Sequence, residues 1–170
     1  MFFLACLSSP EPTQSPRSTR PNILIKTVEN AKEDSDSEEN TPVGSAIISL
    51  FFINSKLELE EVQIRGPKHE KEQFALDVLY SGPKEADKKR GLYLDRCGST
   101  GAKIVSIAEG LATIQLQGKC TPCGAIGIYD SIVKTAKSSQ AISAVHLLDP
   151  NGKTQKTSLS EDARPACLEP

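Results

Sequence analysis

From residue 45 onward, apolar residues recur in short segments at the spacings typical of strands and helices. Residues 45–53 form an almost continuous apolar run, which is typical of a buried strand. Residues 57–65 alternate as a half-buried strand does, but the alternation slips at Glu60 and Glu61, which predicts a bulge or a short loop there. The first part of the folded segment is therefore predicted to be a pair of strands.

Two helices are predicted from apolar residues spaced three and four apart. Gly66-Pro67 is placed in the opening turn of the first helix, because proline suits that position, and residues 81–83 end it with Gly82 as the cap. The second helix follows residues 120–124 and carries its apolar stripe between residues 128 and 136. The charged stretch between the helix end and the next strand, residues 84–90, is predicted to be a solvated loop.

Three further strands complete the pattern. Residues 102–107 and 111–117 flank Glu109-Gly110, a hairpin signal because glycine tolerates a positive φ. Residues 141–148 form the last strand, which ends at a turn over residues 149–152. The predicted fold class is therefore α+β, with a single mixed sheet of about four to five strands and two helices on one of its faces.

The first 44 residues have a different character. Residues 1–6 (MFFLAC) resemble the lipobox of bacterial lipoprotein signal peptides, which implies that Cys6 carries lipid. The basic n-region and the usual apolar length are missing, so a chance match that leaves Cys6 a stray thiol is the alternative. Residues 7–44 are rich in proline, serine and acidic residues and are predicted to be a disordered linker.

Composition excludes several classes of protein. The 170 residues have a net charge of −2 and contain 5% aromatic residues, a balance that argues against a nucleic-acid binder. The sequence has no apolar stretch of transmembrane length, no phosphate-binding glycine loop and no hydrolase or metalloprotease motif. His69 and His146 are two isolated histidines, so we expect neither catalysis nor a cofactor.

Several segments in order resemble the GerMN domain. They are residues 74–83 (FALDVLYSGP), 110–116 (GLATIQL), 131–135 (SIVKT) and 145–152, and the resemblance covers roughly residues 46–155. Asp130 and Ala136 depart from the family pattern. The resemblance implies a non-catalytic, ring-building type of module from exported or lipid-anchored bacterial proteins, including sporulation proteins. It therefore implies envelope proteins or the cell wall as partners and allows a homo-oligomer or ring.

The four cysteines other than Cys6 allow three disulfide pairings in an exported protein. A Cys120–Cys123 pair closes a very tight loop and stabilises little. Of the two pairings that remain, we favour Cys120–Cys167, which would pin the C-terminal tail to the domain, together with Cys97–Cys123, which would close the loop after the first helix. Two alternatives stay open. One is thiol–disulfide redox chemistry at Cys120 and Cys123, which precede a helix, and the other is a four-cysteine zinc site.

The sequence as a whole predicts four segments: a lipobox-like segment at 1–6, a linker at 7–44, a GerMN-like domain at 45–150 and a C-terminal tail at 151–170 that a disulfide pins. The expected location is extracytoplasmic, either lipid-anchored at the membrane or periplasmic. The expected role is interaction, without a metal or cofactor. The candidate interaction surfaces are the outer face of the second helix and the charged stretch before the third strand: Asp130, Lys134 and Lys137, and Lys84, Lys88, Lys89 and Arg90.

Overall fold

The structure, a computed structural model, describes residues 45–155 and 158–169. Cys6, the lipobox-like segment 1–6 and the linker 7–44 lie outside the described residues. The elements in chain order are β1 (Ser45–Ile53), β2 (Leu59–Pro67), α1 (Lys71–Ser81), α2 (Glu85–Lys89), β3 (Ser99–Ala108), β4 (Leu111–Gly118), α3 (Ile128–Lys137), β5 (Ala144–Leu148) and a 3-10 helix (Ala166–Leu168).

The α+β class is confirmed, but the strands form two sheets rather than the single predicted sheet. β1 and β2 make an antiparallel pair, and β3, β4 and β5 make a mixed sheet in which β4 and β5 are parallel. Helices α1 and α3 pack against each other, and each contacts strands of both sheets. The two sheets are therefore joined through the helices around one core.

The core is built from the inward-facing side chains of β1, β4 and β5 and the apolar stripes of α1 and α3. β1 alternates as a strand with one buried face, since Ile48, Leu50 and Phe52 are buried. Leu76 and Leu79 of α1 lie in the same buried cluster. Burying these side chains supplies the main driving force for folding.

The bulge predicted at Glu60-Glu61 is wrong. β2 pairs with β1 in an unbroken register from Leu59 to Pro67. Glu60 lies on the same side of β2 as Val62, and its carboxylate accepts a hydrogen bond from the Arg90 guanidinium. The polar residue at an apolar position is therefore neutralised by a partner that comes from a distant part of the chain.

The predicted helix opening at Gly66-Pro67 is also wrong, because both residues belong to β2 and α1 begins at Lys71. Gly66 is needed for packing instead. A Cβ atom there would lie 2.5 Å from Ile48 Cδ1 and 2.6 Å from the Phe74 ring. The absence of a side chain lets the first turn of α1 pack against the hairpin.

Two predicted turns are present as expected. Glu109 and Gly110 both have positive φ, 52° and 81°, and form a two-residue hairpin loop between β3 and β4. Gly82, at φ 86°, caps α1, and its amide donates to the Leu79 carbonyl. Residues 84–90, predicted as a loop, instead contain the short helix α2, and Lys84 is its N-cap residue.

Candidate functional site

The four cysteines in the described part of the chain form two disulfides, and the pairing is the one favoured in the sequence analysis. Cys97 is bonded to Cys123 with a Cα–Cα distance of 5.2 Å, and Cys120 is bonded to Cys167 with a Cα–Cα distance of 5.7 Å. Both distances lie within the usual range for disulfides. Cys120 and Cys123 are thus each joined to another part of the chain, and not to each other as a redox-active Cys-x-x-Cys motif requires.

The Cys120–Cys167 disulfide attaches the C-terminal segment to the domain. Ala163 and Leu168 are buried, at 1% and 2% exposure. The Ala163 amide donates to the Val145 carbonyl at 2.9 Å, and the Leu147 amide donates to the Ala163 carbonyl at 2.9 Å, so the segment lies along the edge of β5. Residues 158–169 are therefore an integral layer of the fold.

The outer face of α3 forms one wall of a groove with a volume of about 520 Å³. The three charged residues predicted for this face all line it, and aromatic and apolar side chains add to it from two other parts of the chain. The lining residues are Phe51, Leu59, Tyr129, Asp130, Val133, Lys134, Lys137, Ser138 and Asp162. An apolar floor with charged groups at its rim is a common composition for a binding surface.

Each charged residue of this α3 groove already has a structural contact. Asp130 accepts a hydrogen bond from the Gly127 amide at 3.1 Å and so closes the first turn of α3. Lys137 forms a 2.8 Å ion pair with Asp162. Lys134 is exposed, with its ammonium 5.7 Å from the centre of the Phe51 ring, a cation–π arrangement.

Tyr129 gives the α3 groove a polar group held in its neutral form. Burial raises the pKa of the Tyr129 hydroxyl, and the neighbouring Asp162 carboxylate raises that pKa further. The Arg164 guanidinium lies 5.8 Å from the centre of the Tyr129 ring on the same side of the domain. The phenol is therefore a hydrogen-bonding group at neutral pH and does not supply a negative charge.

The predicted surface did not include the other six residues that line the groove, and Phe51, Tyr129 and Asp162 illustrate the reasons. Phe51 lies in a run that is predicted to be buried. The sequence signal is the polar residue Ser49, because residues two apart in a strand share a face, and Phe51 is on that outward face. Tyr129 was counted only as part of the apolar stripe of α3. Asp162 lies in the C-terminal segment, and no local pattern could place it beside Lys137.

The second predicted surface is separate from the α3 groove. Arg90 pairs with Glu60 and Asp87, and Lys88 forms a 2.7 Å ion pair with Glu85. Lys89 is exposed on the same short helix. Lys84 and Arg90 line a different groove, beside β2, so the two predicted surfaces do not form one site.

Other candidate chemistry is sparse in the part of the chain that the structure describes. No group of three or more His, Cys, Asp or Glu side chains within it is arranged to hold a metal ion. His146 Nε2 lies 3.3 Å from the Ser158 carbonyl oxygen, and His69 is exposed. Residues 45–155 and 158–169 also contain no helix that is long and apolar enough to cross a membrane.

Comparison with solved structures finds a similar one, whereas comparison by sequence finds no match. No protein-family model and no curated protein matches the sequence. The solved structure of the tandem GerMN domains of the sporulation protein GerM from Bacillus subtilis is similar, with 20% sequence identity and a TM-score of 0.49. The match covers 79% of this chain and 50% of that one, so this chain spans about half the length of that structure.

Proposed function

We propose that the protein is a non-catalytic cell-envelope component in which a GerMN-like domain binds other envelope proteins or the cell wall. Lipid on Cys6 would anchor it, and residues 7–44 would act as the tether. The observation that carries the proposal is the pair of disulfides, Cys97–Cys123 and Cys120–Cys167. Structural disulfides are typical of proteins outside the reducing cytoplasm.

The α3 groove is the surface we assign to the partner. An exposed lysine stands over an aromatic ring at its rim, and Val133 and Leu59 provide apolar area beside it. Such a combination suits a partner that offers an acidic group next to an apolar one, because the cation and the apolar floor can then both be used. The GerMN-like segments of the sequence support the same class of non-catalytic module.

Localisation is tested by fractionating bacteria that express the gene with its own upstream region. We expect the protein in the envelope fraction, with Cys97, Cys120, Cys123 and Cys167 resistant to thiol alkylation until a reductant is added. Replacing Cys6 with Ala is expected to release the protein from the membrane without changing the four protected thiols. Recovery of the protein in the cytoplasm with four reactive thiols would contradict the proposal.

Binding is tested by cross-linking in living cells followed by affinity purification. Lys134→Ala is expected to weaken partner recovery at least about threefold, because exposed cation–π and charge contacts are worth about 0.5–1 kcal/mol each. Lys103→Ala is the matched control, since Lys103 is an exposed lysine on β3 that does not line the groove. Equal recovery with both variants would remove the α3 groove as the binding surface.

A further inference from the structure

The C-terminal segment, residues 158–169, supplies one of the charges of the α3 groove. Asp162 lines the groove, and its Oδ2 atom forms a 2.8 Å ion pair with Lys137 of α3. Its Oδ1 atom accepts a hydrogen bond from the Val145 amide of β5 at 2.9 Å. A single carboxylate of this segment therefore neutralises a lysine of the groove and satisfies a backbone group of β5.

The position of Asp162 sets the charge of the groove. The lining residues include two lysines and two aspartates, so their charges cancel while the segment is in place. Removing Asp162 would leave one excess positive charge and would free the Lys137 ammonium. An acidic partner would then gain a cation that the closed groove does not offer.

One covalent bond fixes the C-terminal segment on the domain. Ala163 donates one backbone hydrogen bond to β5 and accepts another from it, both at 2.9 Å. Cys167 is the only cysteine within residues 158–169, and its bond to Cys120 is the disulfide that attaches them. The remaining contacts of the segment with the described residues are noncovalent, so the state of this bond decides how often the segment opens.

The two disulfides differ in how accessible they are to a thiol. Cys97 is buried, at 6% exposure, whereas Cys123 is partly exposed. Cys120 and Cys167 are both partly exposed, and Ala166 beside Cys167 is exposed. Reduction begins when a thiolate attacks a sulfur atom, so its rate depends on access to that atom. The Cys120–Cys167 bridge is therefore open to attack from both of its residues, and the other bridge from one.

The surroundings of Cys97–Cys123 keep its two sulfur atoms together even when their bond is open. The Thr121 amide, two residues before Cys123, donates to the Cys97 carbonyl at 3.0 Å. Gly127 packs against both sulfur atoms, because a Cβ atom there would lie 2.6 Å from Cys123 Sγ and 3.0 Å from Cys97 Sγ. Two thiols held this close have a high effective concentration, which favours the disulfide over the reduced form.

The Cys120 and Cys167 sulfur atoms are held together in a different way. Cys120 follows β4, whereas Cys167 lies in the 3-10 helix Ala166–Leu168 of a segment that packs along β5. Once their bond is open, each local opening of the segment separates the two thiols. Their effective concentration falls accordingly, which favours the reduced form more than at Cys97–Cys123.

We propose that the Cys120–Cys167 disulfide is a redox-controlled latch on the α3 groove, which a dithiol reductant opens before it reduces Cys97–Cys123. The oxidised, closed form is the resting state. Opening the latch lets residues 158–169 leave β5, which takes Asp162 out of the groove and frees Lys137 for an acidic group. The effect on binding rests on the function proposed above, whereas the opening itself does not.

The reduction proceeds by two thiol–disulfide exchanges. One thiolate of the dithiol forms a bond to Cys167 Sγ, and the Cys120 sulfur leaves as a thiolate. The second thiolate of the reductant then displaces the Cys167 sulfur and closes the reductant's own disulfide. Two electrons pass from the dithiol to the bridge, and the two protons that the dithiol loses are taken up by the cysteine thiolates.

The order of reduction is tested on the full chain carrying Cys6→Ser, equilibrated with mixtures of reduced and oxidised dithiothreitol. Free thiols are trapped by alkylation and located by mass spectrometry. We expect the Cys120–Cys167 pair to open at a ratio of reduced to oxidised reagent at least about tenfold lower than the Cys97–Cys123 pair requires. Reduction of both pairs together, reduction in the reverse order, or a new Cys120–Cys123 bridge would overturn the proposal.

Release of the segment is measured by amide hydrogen exchange on the selectively reduced protein. We expect the Ala163 and Val145 amides, which bond across the contact between the segment and β5, to exchange at least about tenfold faster than in the oxidised protein. The amides of β1 are expected to change by less than about twofold. Unchanged protection at both positions would overturn the proposal.

The groove itself is probed by the acetylation of Lys137 with a limiting amount of acetic anhydride. Lys103, an exposed lysine on β3 outside the groove, is the internal reference. We expect reduction of the latch to raise acetylation at Lys137 at least about twofold relative to Lys103, because the Lys137 ammonium loses its pairing with Asp162. An unchanged ratio would show that Asp162 stays in place and would overturn the proposal.

Control of binding is tested with the cross-linking experiment described above. Cys120→Ser/Cys167→Ser, which has no latch, is expected to recover about threefold more partner than the unchanged protein. Equal recovery by these two proteins, while Lys134→Ala still weakens recovery, would overturn the control of binding by the latch. A Lys134→Ala variant that recovers as much partner as Lys103→Ala would instead contradict the function proposed above, and the three measurements on the purified protein would still decide whether the latch opens.

Discussion

Removing the Cys120–Cys167 disulfide, by replacing both cysteines with serine, is expected to lower the free energy of unfolding by about 4 kcal/mol. The bridge joins residues 47 apart in sequence, and restricting a loop of this length in the unfolded chain accounts for that value. The Cys97–Cys123 bridge spans 26 residues, for which the same relation gives about 3.5 kcal/mol.

Once the Cys120–Cys167 disulfide is removed, the C-terminal segment is held to the domain only by its native noncovalent contacts. Ala163 and Leu168 stay buried only while residues 158–169 lie against β5. Without the bridge, this segment can detach from β5 while the rest of the domain stays folded. We therefore expect the Ala163 amide, which bonds the Val145 carbonyl, to lose exchange protection more than the amides of β1 do.

The assay is urea denaturation of the oxidised protein at neutral pH, together with amide hydrogen exchange. All variants carry Cys6→Ser, so that no free thiol can exchange with the bridges. The Cys97→Ser/Cys123→Ser variant is the control, and we expect it to lose stability while the Ala163 amide keeps more of its protection. A loss below about 1 kcal/mol for Cys120→Ser/Cys167→Ser, or unchanged protection at Ala163, would refute the reasoning.

Three further predictions follow from single residues. The Gln73 side chain accepts from the Ile104 amide at 2.9 Å and donates to the Ala102 carbonyl at 3.1 Å on the edge of β3. Gln73→Ala is therefore expected to cost about 1–3 kcal/mol in thermal or urea unfolding, because both backbone groups lose their partner, and unchanged stability would contradict this. Burial raises the pKa of Tyr80 from 10.0 to about 12. Because the unfolded chain loses this proton at a lower pH than the folded protein does, the free energy of unfolding falls by about 2–3 kcal/mol between pH 10 and 12. Tyr80→Phe should lack that alkaline fall in urea titrations, and an identical fall in both proteins would contradict the assignment. Gly127→Ala would place a Cβ atom 2.6 Å from Cys123 Sγ. It should therefore lower both the melting temperature and the yield of oxidised protein. A melting temperature and yield equal to those of the unchanged protein would contradict this prediction.

Local patterns in the sequence were enough to place most elements. The strand at residues 45–53, the Glu109-Gly110 turn and the Gly82 cap depend on short local patterns, which is why they could be predicted without a fold. Chain geometry made a tight Cys120–Cys123 loop a poor candidate and left two possible pairings, between which the fold decides.

Two errors arose where a residue distant in sequence changed the meaning of a local signal. Glu60 looked like a break in the strand because its partner, Arg90, is 30 residues away. Gly66 looked like the start of a helix because the ring of Phe74 that requires it packs only in the folded chain. The error at residues 84–90 was local instead, because Glu85–Lys89 form a short helix in which the Lys88–Glu85 ion pair joins neighbouring turns.

The sequence by itself thus determined the α+β class, the order of the strands and long helices, and the charged residues of α3. The division into two sheets and the joining of the α3 groove by Phe51 and Asp162 were decided only by the tertiary structure. The physical reason is that periodicity reports which face of an element is apolar, whereas sheet neighbours and edge partners depend on contacts between residues far apart in sequence.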